Sequence, residues 1–123
     1  MGHTAAPTGH MGHAVLELPG DVPAPTVAIR VSKDAKAGWN VLVETTNFRW
    51  APEHASQAHV PGEGHAHLYV DGKKVARLYG PWFHLERLAP GTREIRVTLN
   101  ANSHEDLAVD GKILTATTKV VVK

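Results

Sequence analysis

Apolar and polar residues alternate in twos along most of this chain of 123 residues. Alternation of this kind is typical of β-strands, because successive side chains of a strand point to opposite faces of the sheet. No stretch of the sequence has the 3.6-residue periodicity of an amphipathic helix. The pattern predicts strands over residues 14–18, 26–32, 38–47, 65–72, 73–80, 92–100 and 112–122.

Turn signals separate these predicted strands at short intervals. Asp71-Gly72 and Asp110-Gly111 are typical of tight hairpins, and Pro19-Gly20 and Ala89-Pro90-Gly91 also mark turns. Short strands with closely spaced turns predict one all-β domain, an antiparallel Greek-key β-sandwich of cupredoxin-like or immunoglobulin-like form. We expect this domain to span residues 14–123.

Residues 1–13 show no periodicity, and we expect them to form a flexible tail rich in Gly, His and Met. They have neither the basic nor the apolar region of a signal peptide, so we expect a mature chain that has lost its signal peptide and is periplasmic or secreted. Residues 9–11, Gly-His-Met, also fit a remnant of cloning.

Composition excludes several functional classes. The formal net charge of +1 gives no reason to expect a nucleic-acid partner, and no apolar run is long enough to span a membrane. There is no cysteine, which excludes disulfides, thiolate metal sites and cysteine catalysis. The outlier is histidine, with nine residues.

The sequence of the fourth predicted strand opens with two histidines, His65 and His67. Residues i and i+2 of a strand share a face, so the two imidazoles lie side by side, roughly 6–7 Å apart at Cβ. We expect Ala66, Leu68 and Val70 to face the core instead. Imidazole suits copper, zinc and nickel, so the pair predicts a metal site.

Other residues are candidates for completing this site. The long irregular stretch 48–64 contains His54 and His59, and loops of this length are usually functional or disordered. His104 lies in a polar turn, and His84 is flanked by apolar residues that are also consistent with a half-buried, non-ligating role. In the tail, Met11 and His13 form a soft donor set with His10 that favours Cu(I).

The donor types favour copper over other metals. A blue-copper electron-transfer site needs cysteine and is therefore excluded. Structural zinc is less attractive, because structural zinc sites usually contain cysteine. We therefore expect Cu(II) or Cu(I), with zinc as the second choice.

Residues 62–113 resemble small secreted bacterial β-sandwich domains of cupredoxin-like or immunoglobulin-like shape. The matching features are the histidine pair, the Leu-x-Pro-Gly turn at 88–91, the Ile-x-Val-x-Leu strand at 95–99 and the Asn-rich turn that contains His104. Some of these domains are thought to handle copper. The resemblance implies that His65, His67 and His104 are the functional positions.

The sequence leaves two classes of function open. The first is a copper-binding protein for storage, delivery or resistance, with a copper-delivery or membrane-enzyme partner. The second is a non-catalytic module that binds a protein or glycan through Trp50, Tyr69, Tyr79 and Trp82, although Trp39 and Trp82 are better interpreted as core aromatics. The sequence shows no arrangement typical of catalysis, and we expect no enzyme.

Overall fold

The computed structural model describes residues 14–123, and within them the chain forms eleven β-strands and one 3-10 turn. The strands are β1 (Val15–Glu17), β2 (Thr26–Lys33), β3 (Trp39–Thr46), β4 (Arg49–Trp50), β5 (Glu63–Val70), β6 (Lys73–Leu78), β7 (Trp82–Leu85), β8 (Gly91–Asn100), β9 (Asp106–Val109), β10 (Lys112–Ile113) and β11 (Thr115–Val122). The 3-10 turn is Pro52–His54. No helix in this part of the chain is long and apolar enough to cross a membrane.

The strands form two sheets. The large sheet has the order β1-β9-β8-β5-β4, with β10 paired to β9, β11 to β8 and β6 to β5. The small sheet has the order β2-β3-β7. In the large sheet β5 is central, because it is antiparallel to both β6 and β8 and also pairs in parallel with β4.

One apolar core lies between the two sheets. The large sheet contributes Leu68, Val97 and Leu99, which are fully buried, and the small sheet contributes Val41 and Val43. The core-facing residues of a strand lie two positions apart, as the alternation of the sequence predicts. The all-β class is confirmed, whereas the Greek-key and cupredoxin-like or immunoglobulin-like assignments stay predictions.

Two hairpins form at the predicted Asp-Gly pairs. Asp71 and Gly72 have φ values of 51° and 81°, and Asp110 and Gly111 have values of 52° and 77°. Positive φ at both central residues of a two-residue loop is the type I′ turn, which matches the twist of the flanking strands. These hairpins connect β5 to β6 and β9 to β10.

The prediction of one long last strand is wrong. The strand is interrupted at Leu114. The N–H of Leu114 donates to the carbonyl of Leu107 at 2.8 Å, and its carbonyl accepts from the N–H of Leu99 at 3.0 Å. Leu114 thus passes from one neighbouring strand to the other. Strands β4, β7 and β9 were not predicted, because they have two to four residues and are too short to show an alternation.

The interpretation of Trp82 as a core aromatic is wrong, because its side chain is 65% exposed. Its neighbour Phe83 pairs with the buried Val41 and takes the core-facing position, so Trp82 points to the outer face of the small sheet. Trp39 is partly buried and packs against the core, as expected.

Candidate metal centre

Strand β5 is buried on both faces. Ala66 and Leu68 face the core, as predicted, and are 0% exposed. His65 and His67 lie on the opposite face but are only 1% and 2% exposed. The pair is therefore a buried polar feature of the fold, which is unusual for histidine without a functional or structural reason.

The third histidine comes from the turn between β8 and β9. The N–H of His104 donates to the carbonyl of Ala101 at 2.7 Å, and the carbonyl of His104 accepts from the side-chain amide of Asn100 at 3.1 Å. These bonds hold His104 at a φ of +81°. A non-glycine residue rarely adopts this left-handed conformation, and such strain is concentrated at ligand clamps and active sites.

The three imidazoles form one cluster. His65, His67 and His104 each offer one ligand nitrogen, and these nitrogens lie within 4.8 Å of one another. The Nε2 atoms of His65 and His67 are 3.0 Å apart. Two nitrogens of a tetrahedral ion lie about 3.3 Å apart when the metal–nitrogen distance is about 2.05 Å. Small side-chain adjustments therefore bring all three histidines to coordination distance.

Two ring nitrogens in the cluster lack a protein partner. Within residues 14–123, the buried Nδ1 atoms of His65 and His67 make no hydrogen bond. A buried polar atom without a partner is costly, so each such atom in a native fold calls for an explanation. An ion held at Nε2 would leave each Nδ1 as an N–H on the other side of the ring, so these atoms do not themselves indicate a metal; the set of three imidazole donors is what fits copper or zinc.

The surroundings keep the imidazoles neutral. The pKa of His65 is lowered to about 4, mainly by burial and to a smaller extent by the nearby His104. The pKa of His67 is lowered to about 3, mainly by burial and to a smaller extent by the charge of Lys74. Burial, followed by Arg77, also lowers the pKa of His104. Metal binding requires neutral imidazole, so at neutral pH no proton has to leave before an ion binds.

The loop of residues 51–62 packs beside the cluster. Ser56 Oγ is hydrogen bonded to His104 Nε2 at 3.0 Å, and the N–H of Ser56 donates to the carbonyl of Asn102 at 2.8 Å. The side-chain amide of Asn102 donates in turn to the carbonyl of Ala58 at 3.1 Å. The loop and the turn that contains His104 are thus joined by direct hydrogen bonds.

A buried carboxylate links this loop to the sheet. Glu63 opens β5, is 5% exposed, and accepts from the amide of Asn102 at 3.0 Å. It also bonds to the ring of His54 and forms an ion pair with Arg49. The bond from Asn102, followed by those from His54 and Arg49, lowers the pKa of Glu63 to about 2, although partial burial opposes the shift. Glu63 therefore stays ionised at neutral pH.

A cavity opens beside the histidines. Its volume is about 420 Å³. Besides the ring atoms of His67 and His104, its walls include Lys74 and Arg77 of β6. The remaining lining residues are Ala14, Ser103 and Glu105.

The structure brings together three of the predicted ligands, His65, His67 and His104. His59 is partly buried on the loop but lies outside the cluster, and His84 is exposed on β7, where it is hydrogen bonded to Asn40 at 2.9 Å. Met11 and His13 lie outside the described residues.

The residues that hold or surround the cluster were not predicted from the sequence. Ser56, Asn100 and Asn102 are ordinary turn or strand residues in the sequence, and only their long-range hydrogen bonds reveal their roles. Lys74 and Arg77 are two of the Lys and Arg residues that lie scattered along the sequence. Nothing in the sequence indicates that they share a face, because residues three apart in a regular strand point to opposite faces and only the bulge in the β5–β6 pairing brings both to the histidine face.

Comparison of the chain with models of known protein families, with curated proteins and with solved structures finds no match. The resemblance to secreted cupredoxin-like or immunoglobulin-like domains therefore stays a prediction.

Proposed function

We propose that this protein binds copper through His65, His67 and His104 and serves in copper storage, delivery or resistance. The observation that carries the proposal is the cluster of three ligand nitrogens within 4.8 Å of one another, two of them on the buried side chains of His65 and His67. Two of these histidines come from β5. The third, His104, comes from the β8–β9 turn, where hydrogen bonds hold its backbone at a positive φ.

The donor set supports copper as the cargo. All three ligands are imidazoles, and for a given set of nitrogen donors Cu(II) binds more tightly than zinc or nickel. Three protein ligands leave a coordination position for exchange, whereas structural zinc sites are usually closed by four. A cavity on one side of the cluster gives an ion a route in and out.

Several further features belong to the proposal. We place the protein in the periplasm or outside the cell, where it meets a copper donor or acceptor protein. We assign the fold to the cupredoxin-like or immunoglobulin-like sandwiches. We expect binding without catalysis, since the cluster is surrounded by side chains that position it or neutralise charge.

The test is titration calorimetry of the metal-free protein with Cu(II), with Cu(I) under reductant and with Zn(II). We expect one site in the wild type, with Cu(II) bound more tightly than Zn(II), and its loss in His65→Asn/His67→Gln. These polar replacements are chosen because alanine would leave a cavity in a buried strand.

The matched control is His59→Ala/His84→Ala, which removes two histidines outside the cluster and should bind as the wild type does. Deletion of residues 1–13 separates the tail from the cluster. If binding survives the cluster variant and disappears with the tail, the metal belongs to the tail. If no metal binds more tightly than about micromolar, roughly −8 kcal/mol, the proposal is wrong.

A second function is favoured by one observation, the 65% exposure of Trp82, with Tyr79 nearby in sequence and 38% exposed. Exposed aromatics are typical of surfaces that bind a protein or a glycan. A module of this kind would lose partner binding in Trp82→Ala and keep it in His65→Asn/His67→Gln. Metal binding by the wild type and by Trp82→Ala would then be equal.

A further inference from the structure

The side of the histidine cluster that faces the cavity is positively charged. Lys74 and Arg77 line the cavity with His67 and His104, and Glu105 is its one acidic lining residue. Glu105 accepts a hydrogen bond from Ser103. Within residues 14–123, neither Lys74 nor Arg77 forms an ion pair.

The register of the β5–β6 hairpin explains how both cations reach this face. Arg77 pairs with His67, so its side chain lies on the histidine face. Regular pairing would then place Val75 opposite Tyr69 and turn Lys74 toward the core. A bulge shifts the register instead, so that Lys74 pairs with Tyr69. Bulges re-aim side chains in this way and are frequent next to functional sites.

Two cations beside a cation site are unfavourable by themselves. They repel an incoming metal ion, and nothing in the core packing requires them, because both side chains are exposed. Their arrangement becomes favourable when an anion accompanies the metal. Three imidazoles also leave a coordination position that a fourth donor must fill.

We propose that the cavity binds a small carboxylate or oxyanion, which fills the open coordination position of the metal while Lys74 and Arg77 neutralise its charge. This inference rests on the proposed metal site. The cavity of about 420 Å³ holds such an anion together with several water molecules, since one water occupies about 30 Å³. Lysine and arginine both recognise such groups, arginine through two parallel hydrogen bonds.

The test titrates the Cu(II)-loaded full chain with azide, whose binding to copper produces a charge-transfer absorption, and then displaces it with acetate or bicarbonate. We expect saturable azide binding in the wild type. Lys74→Gln/Arg77→Gln should bind azide at least about tenfold more weakly and still take up one copper ion. Glu105→Gln removes the opposing charge and should bind azide more tightly.

The control variant Lys36→Gln/Arg87→Gln removes two cations outside the cavity lining and should leave azide binding unchanged. Equal azide affinity in the cavity and control variants, or no azide binding by copper-loaded wild type, would overturn the inference while the metal site stands. Absence of copper binding in the wild type would instead refute the proposed function. Azide binding that appears only after residues 1–13 are deleted would show that the chain itself supplies the fourth donor, and would also overturn the inference.

Discussion

The side-chain amide of Asn100 donates a hydrogen bond to the backbone carbonyl of His104 at 3.1 Å. The same amide donates to Asp106 at 2.8 Å, and the amide oxygen accepts from the hydroxyl of Thr98 at 2.7 Å. Asn100 is 0% exposed, so its orientation is fixed by these bonds. It clamps the turn in a conformation that presents the imidazole of His104 to the other two.

This clamp leads to a prediction about His104. Its φ of +81° costs a residue with a Cβ about 1–2 kcal/mol, a strain that glycine does not have. His104→Gly and His104→Ala both remove the imidazole, but only alanine keeps the strain. We expect the glycine variant to be more stable than the alanine variant by about 1 kcal/mol in urea denaturation of the metal-free protein.

Both variants should bind Cu(II) at least about tenfold more weakly than the wild type, a loss of about 1.4 kcal/mol. The prediction therefore separates strain from ligation, since stability distinguishes the two variants and metal affinity does not. Wild-type copper affinity in either variant would remove His104 from the ligand set. Equal stabilities would mean that the backbone of residue 104 is not strained.

The local pattern of the sequence was sufficient to predict part of this site. The two-residue period of a strand correctly placed His65 and His67 on one face, and the Asp71-Gly72 pair correctly predicted the hairpin that follows. Neither inference needs any contact between distant parts of the chain. The all-β class follows from the same period.

The remaining features depend on distant contacts. The parallel pairing of Arg49 with Glu63 joins segments separated by a loop, and no local pattern encodes it. The left-handed backbone of His104 was not predicted, because histidine is enriched at positive φ but adopts it in only a small fraction of cases, and the hydrogen bonds that hold it there come from Ala101 and Asn100 in the fold. The second buried face of β5 was unexpected because histidine normally indicates a solvated face.

The second prediction concerns acid stability of the metal-free protein. The folded-state pKa values of His65 and His67, about 4 and about 3, lie below the ordinary histidine value of 6.5. Between pH 6.5 and 4 the unfolded chain therefore binds protons that the folded chain does not. The free energy of unfolding should fall as the pH decreases through this window, with a slope from these two residues of at most about 2.7 kcal/mol per pH unit.

Urea denaturation at a series of pH values measures this slope. His65→Asn/His67→Gln lacks both titrating groups and should show a flatter profile between pH 6.5 and 5, where few carboxylates titrate. His59→Ala/His84→Ala is measured beside it as the variant that removes two histidines outside the cluster. Saturating copper should protect the wild type and His59→Ala/His84→Ala, but not the cluster variant, by about 2.7 kcal/mol at a free concentration 100 times the Kd. A wild-type slope in the cluster variant would show that other groups cause the acid sensitivity.

The third prediction tests the carboxylate behind the loop. Glu63 holds Asn102, whose carbonyl and amide fasten the segment around Ser56 to the turn of His104. Glu63→Gln removes the charge and weakens these bonds, so we expect copper affinity to fall about tenfold, as is common when a residue that orients metal ligands is changed. Calorimetric titration with Cu(II) measures the effect.

Glu53→Gln is the matched control, because Glu53 also pairs with Arg49 but its side chain is 56% exposed. We expect that variant to bind copper normally. Glu63 also contributes stability above pH 4.5 that is lost as the pH falls toward its folded pKa of about 2, so Glu63→Gln should lose less stability in that range than the wild type. Equal copper affinity in the two variants would show that the loop does not position His104.

The last prediction concerns Gly64, which precedes His65 in β5. A Cβ built on Gly64 would lie 2.0 Å from the carbonyl oxygen of Asn100, so the two strands could not keep their spacing. We expect Gly64→Ala to lower the free energy of unfolding by about 2–3 kcal/mol, as overpacking in a well-packed interior does. Gly80→Ala is the control, since nothing lies within 4 Å of a Cβ at that position.

The same displacement of β5 should also change the spacing of the metal ligands. Gly64 lies against Asn100, the residue that clamps His104, while its neighbour is His65. Pushing β5 away from the end of β8 therefore separates two ligands, and Gly64→Ala that remains folded should bind Cu(II) more weakly than Gly80→Ala. Denaturation and calorimetry on the same preparations measure both effects. A destabilised Gly64→Ala with unchanged copper affinity would mean that the metal reassembles the cluster, and the histidines would then be held by the ion more than by the fold.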